Sequence, residues 1–338
     1  MKANFFNCVT IYLFVLLANP AVAQDTYSIV AVDPETGEVG SAGASCVDLN
    51  QFFPNSPDDF IAVLHPGLGA INTQAAYNPV NQNLASDRAL QGDSAGQIIY
   101  NLLTNDAESN SQIRQYGIAM LNNGNPDIAA HTGRDCYAEK YHIIGETYSI
   151  QGNILIDSNV LDSMEAAFLR TEGSLACKLM AALQGANRIG ADSRCASNNT
   201  SSLFGYLKVA QPDDVFGDPS FLISVRTSNG DQIEPIDSLQ ILFNAQNGCD
   251  TTEDNPSSID VVQEDWFTFS YQNDFHKLSF NGPEGTYFQV FHNAGGSGLS
   301  MNLFPGFNEL DVSDYPTGIY YILATHEDKT WTTKFLKR

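Results

Sequence analysis

The sequence predicts an α+β protein in two parts: a domain of antiparallel sheets with helices layered outside, then a small all-β sandwich. Three observations lead there. Hairpins and helix pairs arrive in blocks through residues 24–243 rather than in strict strand–helix alternation, which favours antiparallel sheets. The composition turns polar and acidic at NAQNGCDTTEDNPSSID, with Pro256, marking a linker over 244–262. Beyond it, over 263–338, aromatic-rich strands (DWFTFSY, HKLSF, YFQVFH, SMNLF, GIYYILAT, WTTKFLK) alternate with turns, and no helical period appears.

Residues 1–23 read as an export signal. Lys2 precedes the apolar run Ile11 to Leu17, and Ala21, Val22 and Ala23 form the small-x-small pattern of a cleavage site. The run is far short of the roughly 18 residues that cross a bilayer, and no later segment comes closer. Cys8 lies ahead of the apolar run, which argues against a lipid anchor. The expected protein is exported through the periplasm and secreted or held at the cell surface, without a transmembrane segment.

Charge narrows the partners. With 39 acidic against 16 basic residues the net charge is −23, a surface that repels nucleic acid and anionic membranes. Such acidity serves solubility, or it steers a cationic substrate. Five cysteines follow the leader (Cys46, Cys136, Cys177, Cys195 and Cys249), and an oxidising compartment makes disulfides the default. Cys177 and Cys195 flank one predicted helix and its loop and are the favoured pair. Cys46 with Cys136 is the second guess, leaving Cys249 over. Without a CxxC, an HExxH or a close His/acid cluster, no metal and no cofactor is expected.

In order, Thr26 to Ala31 is strand-like and DPETG (Asp33 to Gly37) is a turn. GSAGAS, Gly40 to Ser45, is a strand nearly free of bulk, and GLGAINTQAAYNP (67–79) continues in that style. DSAGQIIYNLLTN is a capped helix burying Ile98, Ile99, Leu102 and Leu103. Residues 115–133 spell a hairpin around an Asn/Gly/Pro turn, and a strand pair follows over 141–145 and 148–156. Two helices come next, with Leu161, Met164 and Phe168 on one and Leu175, Leu179, Ala182 and Leu183 on the other. Each starts beside a Ser or Asn able to cap it. Strands SSLFGYLKVA and PSFLISVRT and a helix near Ile236 to Phe243 complete the domain. Gly92-Asp93-Ser94-Ala95-Gly96 fits GxSxG, but no strand precedes it, so Asp93 and Ser94 read as helix capping residues rather than as part of a nucleophile elbow.

Read together, TYSIVAVDPETGEVG, GLGAINTQAAYNP, HTGRDCYAEKYHIIGETYSIQGNIL and GADSRC resemble, in order and spacing, the bacterial domain of unknown function 1028 family over residues 26–227. That family is assigned an N-terminal-nucleophile (Ntn) hydrolase-like fold. The resemblance implies a four-layer αββα sandwich, and for an Ntn enzyme a first residue whose hydroxyl attacks while its own α-amine acts as base. Many members begin Met-Thr-Phe-Ser, and Thr26 is the matching position. Cleavage after Ala23, however, leaves Gln24 and Asp25 ahead of it. Two extended residues span about 7 Å, too far for the Gln24 amine to reach the Thr26 hydroxyl. Nothing in QDT marks a second cleavage, so the expected mature start is Gln24.

Other positions fall on the family motifs. Asp33 shapes its turn or takes part in catalysis. Arg134 and Asp135, at a strand end, either bind a substrate or pair locally. Asn153, in Gln151-Gly152-Asn153, carries the neutral amide that stabilises an oxyanion, or else satisfies buried backbone. Gln151 has the same chemistry, and Gly152 lets a ligand or another backbone come close. Asp192 either orients the Thr26 amine or pairs with Arg194.

The tail has its own resemblance. FNELDVSDYPTGIYYILATHEDKTWTTKFLKR is similar to the C-terminal sorting domain of type IX secretion cargo, which implies that export machinery as a partner. Three readings of the whole follow. One is an amide hydrolase with Thr26 as nucleophile once trimming exposes it. Another is a catalytically silent binding module on the same fold. The third is a purely structural surface protein, favoured if the cleft is filled.

Overall fold

The computed structural model describes residues 26–246 and 249, and in the tail 268–272, 277–283, 286–292, 299–302, 306–313, 315, 318–327 and 329–337. The export-signal reading of 1–23 and most of the 244–262 linker lie outside the described residues. The elements of the first part are β1 (Thr26–Val32), β2 (Val39–Ser45), α1 (Leu49–Phe52), β3 (Ala62–His65), β4 (Gly69–Ala75), α2 (Pro79–Leu90) and α3 (Ala95–Thr104). Then come β5 (Arg114–Asn122), β6 (Asn125–Thr132), β7 (Tyr141–Ile144), β8 (Tyr148–Gly152), α4 (Asn159–Arg170), α5 (Leu175–Gly185), β9 (Phe204–Ala210), β10 (Phe221–Arg226) and α6 (Pro235–Ala245).

The architecture is mixed α+β, with every strand pair antiparallel. One sheet runs β10-β9-β2-β1-β8-β7 and the other β3-β4-β5-β6. Because side chains alternate along a strand, β1 divides its residues cleanly. Tyr27, Ile29 and Ala31 join the core under α4, α5 and α6, with Leu161, Leu179 and Leu239. Val30 and Val32 point the other way, toward Ala70 and Ala119 of the second sheet. On the far side of that sheet Ile71, Ile118 and Met120 pack against Ala85, Ile98 and Leu102 of α2 and α3. The two sheets thus face each other, with helices on both outer faces.

Local chemistry explains the ends. Ser94 caps α3 in a reciprocal capping box with Gln97, the role its sequence context predicts. Asn123 and Gly124 take left-handed backbone in the β5–β6 turn, where a two-residue hairpin demands it. At α4 the expected cap is displaced: the Ser158 side chain makes no capping bond, and Asp157 accepts from the Asn159 N–H instead. Residues 79–90, to which the sequence alone assigns no element beyond the end of the 67–79 segment, form helix α2, begun by Pro79 at its first turn.

The favoured disulfide does not form. Cys46 pairs with Cys195 and Cys177 with Cys249, while Cys136 stands outside both and donates its thiol to the Arg114 carbonyl. The reason is the stiffness of α5. Cys177 sits in the first turn of α5, whose later residues carry the chain about 12 Å away before the loop to Cys195 begins. A bridge needs Cα atoms roughly 4.4–6.8 Å apart. Cys249, beyond the end of α6, supplies the partner of Cys177, and Cys46, directly after β2, that of Cys195.

In the tail, β11 (Thr268–Gln272), β12 (Lys277–Gly282) and β15 (Gly306–Asp311) form one sheet. A second contains β13 (Tyr287–His292), β14 (Leu299–Asn302), β16 (Gly318–His326) and β17 (Lys329–Lys337). Leu278 from the first and Phe288, Val290 and Ile322 from the second share one buried cluster.

Candidate functional site

The space between the facing sheets changes character along its length. Around Val30 and Val32 it is apolar. Toward the start of β1 it fills with amides and hydroxyls: Ser28, Gln74, Gln115, Ser149, Gln151 and Asn153 are all within 1% of complete burial. Each lies on the inward face of its strand, which alternation fixes.

Burial of so many polar groups is tolerable only if they bond to one another. The Ser28 hydroxyl donates to Gln74 Oε1 (2.5 Å) and accepts from Gln151 Nε2 (2.6 Å). Gln151 Oε1 accepts from the Ser149 hydroxyl at 2.9 Å. Gln74 Nε2 donates to the Thr26 carbonyl (3.0 Å) and to Gln115 Oε1 (2.8 Å). Gln115 Nε2 reaches Thr132 Oγ1 and the Gly152 carbonyl, both at 2.9 Å, and Thr132 Oγ1 lies 2.9 Å from His142 Nδ1. Gly117 makes room for this: a Cβ there would lie 1.9 Å from Gln151 Oε1.

Thr26 stands at the end of this set. Ser45 is its partner on β2, and the β1–β8 register, in which Tyr27 meets Gly152, continues to Asn153 on its other side. The Asn153 backbone N–H donates to the Thr26 carbonyl at 3.2 Å. Asn153 Nδ2 donates to Gln115 Oε1 at 2.9 Å, which orients the amide, because that oxygen already accepts from Gln74. Asn153 Oδ1 is buried and has no hydrogen-bond partner. The next residue, Ile154, holds φ at 52°, a left-handed conformation that a β-branched side chain strongly disfavours. That kink sends the chain across to Asp192, with which Leu155 makes an isolated bridge.

Asp192 is buried, and its carboxylate accepts from the Cys46 N–H (2.8 Å), from the Arg194 backbone N–H and from both Nε and Nη2 of the Arg194 guanidinium (3.0 and 2.6 Å). Of the two roles read from the sequence, the structure shows the pair. The clamp brings Arg194 Nη2 to 3.5 Å from the Ser45 hydroxyl, beside Thr26, and the Cys46–Cys195 bridge ties the same two segments together.

The remaining candidates lie apart from this cluster. Arg134 and Asp135 pair with each other at 3.4 Å, their side chains 79% and 53% exposed. Asp33 Oδ1 accepts from the Glu35 and Thr36 N–H groups and so serves its turn. The openness expected at Gly152 is taken up by Leu155 and Leu161, whose methyls would lie 3.0 Å from an added Cβ. Gln74 and Gln115, which join Thr26 to Asn153, were not singled out from the sequence; their signal was a glutamine at an inward position of each of two neighbouring buried strands.

Two clefts open nearby, and neither is lined by Thr26 or Asn153. One, of about 570 Å3, has Asp59, Leu64, Lys208, Phe216 and Leu222 in its walls. The other, of about 820 Å3, is lined by Phe53, Phe60, Tyr77, Gln82, Glu108 and Arg114 among others. Arg114 is buried and bonded to Asp106 at 2.9 Å and to Glu108 at 2.8 Å. Burial alone would raise the Asp106 carboxyl, but bonds from Arg114, Asn110, Glu108 and Asn81 outweigh it and hold it well below the usual carboxylate range.

Two facing antiparallel sheets flanked by helices, with a polar cluster at the start of one central strand, define the class of this domain. The chain belongs to the family of unknown function DUF1028, whose model matches residues 26–216. A crystal structure of a Silicibacter pomeroyi protein from the same family is similar at 22% identity, over 65% of this chain and 88% of that one, with a TM-score of 0.49. No curated protein matches the chain. Among the described residues no helix is long and apolar enough to cross a membrane.

Proposed function

We propose that the chain is an exported Ntn-hydrolase-like protein, its first domain a four-layer αββα sandwich, that hydrolyses an amide with Thr26 once Thr26 is its first residue. The observation that carries this reading is the buried, unpartnered Asn153 Oδ1 on the strand position across from Thr26. An amine created at Thr26 by cleavage after Asp25 would be a donor beside an acceptor that lacks one. An α-amine titrates near 7.7–8.0, so a useful fraction is unprotonated at neutral pH.

In that reaction the amine takes the Thr26 hydroxyl proton as the oxygen attacks the substrate carbonyl carbon. The second N–H of the Asn153 amide and the Arg194 guanidinium are the groups nearby that can steady the oxyanion. The ammonium then returns the proton to the leaving nitrogen as the C–N bond breaks, leaving an ester on Thr26 that water hydrolyses. The export signal at 1–23, the 244–262 linker and the 263–338 sorting tail form the delivery route of the same proposal, through the periplasm and the type IX machinery.

A second reading, the catalytically silent binding module, has its own support. Gln74, Gln115 and Gln151 satisfy one another, and both clefts are walled by other residues. A mature Gln24 start would leave a binding protein without a nucleophile. Mass spectrometry of the N-terminal peptide of protein collected from the medium separates the two. The hydrolase reading expects a Thr26 start, amide turnover lost in Thr26→Ala and partly kept in Thr26→Ser. A Gln24 start with no turnover by protein prepared to begin at Thr26 would sink it.

A further inference from the structure

We propose that the aromatic cleft beside α2 is a binding site for an organic ammonium group, and that it receives the cationic end of the ligand or substrate. The inference rests on the hydrolase reading only for the word substrate; the binding itself is independent of it.

The position of the cleft follows from the chain. Gln74, which holds the Thr26 carbonyl, is two residues from Ala76 in the cleft wall, about 7 Å along the backbone. Arg114 pairs with Ala75 on the neighbouring strand and donates to the Ala76 carbonyl, so β4 and β5 deliver both the polar cluster and the cleft wall. Ala75 between them holds φ at 66°, a turn that brings the chain out of the sheet there.

Its chemistry follows from three side-chain sets. Phe53, Phe60 and Tyr77 are half-buried rings, with Phe60 and Tyr77 edge to face at 5.1 Å. Tyr77 is held in place by its hydroxyl donating to Gln82 Oε1 at 3.0 Å. The lining charges are Asp59, Glu108 and Arg114. Asp106 balances Arg114, and Lys208 balances Asp59 at 2.8 Å, so Glu108 remains as a surplus negative charge. Its side chain is 60% exposed although one oxygen touches Arg114.

Aromatic faces and a surplus carboxylate both favour a cation, and both disfavour an anion. The volume of about 820 Å3 lies within the range of small-molecule sites. The net charge of −23 adds long-range attraction for the same sign of ligand. The other cleft offers Phe216 as its one ring, so it lacks this combination of several rings with a carboxylate.

The test compares benzylammonium with benzyl alcohol, its neutral analogue, by titration calorimetry on the whole exported chain. Benzylammonium is expected to bind at least tenfold more tightly in low salt, with the advantage shrinking severalfold in half-molar salt. Glu108→Gln should remove most of that preference, and Phe53→Leu should weaken benzylammonium about threefold. Both variants are first checked for an unchanged unfolding transition. Equal binding of the two probes, or a full preference surviving both substitutions, overturns the proposal. Thr26→Ala should leave benzylammonium binding intact, so failure of hydrolysis and failure of this site show up in different measurements.

Discussion

The two ends of the space between the sheets are built by the same strands on opposite rules. At one end Val30, Val32, Val39, Leu64, Ala70, Ala119, Leu121 and Ala210 meet as an apolar cluster. At the other, Ser28, Gln74, Gln115, Ser149, Gln151 and Asn153 meet as a hydrogen-bonded set. The apolar end is held by area removed from water, which is non-directional, so volume is what its residues must satisfy. The polar end gains little net stability from each bond and loses much when a partner is missing. Its residues must therefore satisfy donor and acceptor geometry as a group. A sandwich needing only stability has no use for that constraint, which is why the proposed chemistry is placed there.

The comparison can be broken most forcefully on β5, which contributes to both ends. Gly117→Ala places a methyl 1.9 Å from Gln151 Oε1 and is expected to cost about 4 kcal/mol, from overpacking together with lost bonds. Ala119→Gly, one inward position along, should cost about 1 kcal/mol. Urea unfolding midpoints measure both, and near-equal losses would mean that the polar end is no more constrained than the apolar one.

A smaller contrast sharpens the same point. Gln74→Leu leaves the Ser28 hydroxyl, the Thr26 carbonyl and Gln115 Oε1 each short of a partner and should cost about 3 kcal/mol. Val30→Ala at the apolar end should cost about 2 kcal/mol. A neutral or stabilising Gln74→Leu would show that the network can be replaced by packing.

The smallest effect is titration at the open edge of the polar end. Burial lowers the pKa of His142, with repulsion from His131 adding to it, and burial also lowers that of His131. A histidine whose folded pKa is depressed is neutral in the native state while the unfolded chain takes up protons from about pH 6.5 downward. Stability is therefore full above that pH and falls as pH drops through about 6.5 toward the folded values. Thermal melts between pH 7.5 and 5 should show this fall, flattened in His142→Asn. An unchanged slope in that variant would remove His142 from the account.

How much of this was legible depended on the range of the signal. The capping box at Ser94 and the Asn123-Gly124 turn are settled by residues within a few positions of each other, and both were readable. Helix α2 was missed because Asn, Gln and Ser dilute its apolar face, so that its stripe consists mainly of alanines and of Asn81 and Gln82 bonded inward. The disulfides were misread because proximity in sequence stood in for proximity in space across a rigid helix. Of the proposed site, Thr26 and Asn153 stand out on the motifs, whereas Gln74 and Gln115, which bond to them, do not.

The sequence by itself determined the family and, α2 excepted, the main succession of strands and helices in the first part of the chain, because hydrophobic period and turn residues act over short stretches of chain. Tertiary structure alone decided which amide meets which. Gln74, Gln115 and Asn153 come from three strands separated by tens of residues, and nothing local to any of them states that they share one buried volume. It also decided that Asp192 holds Arg194 and that Cys46 meets Cys195. A hydrogen bond or a disulfide forms only within a few ångströms and a narrow range of angles, and those are set by how the sheets stack rather than by the order of residues.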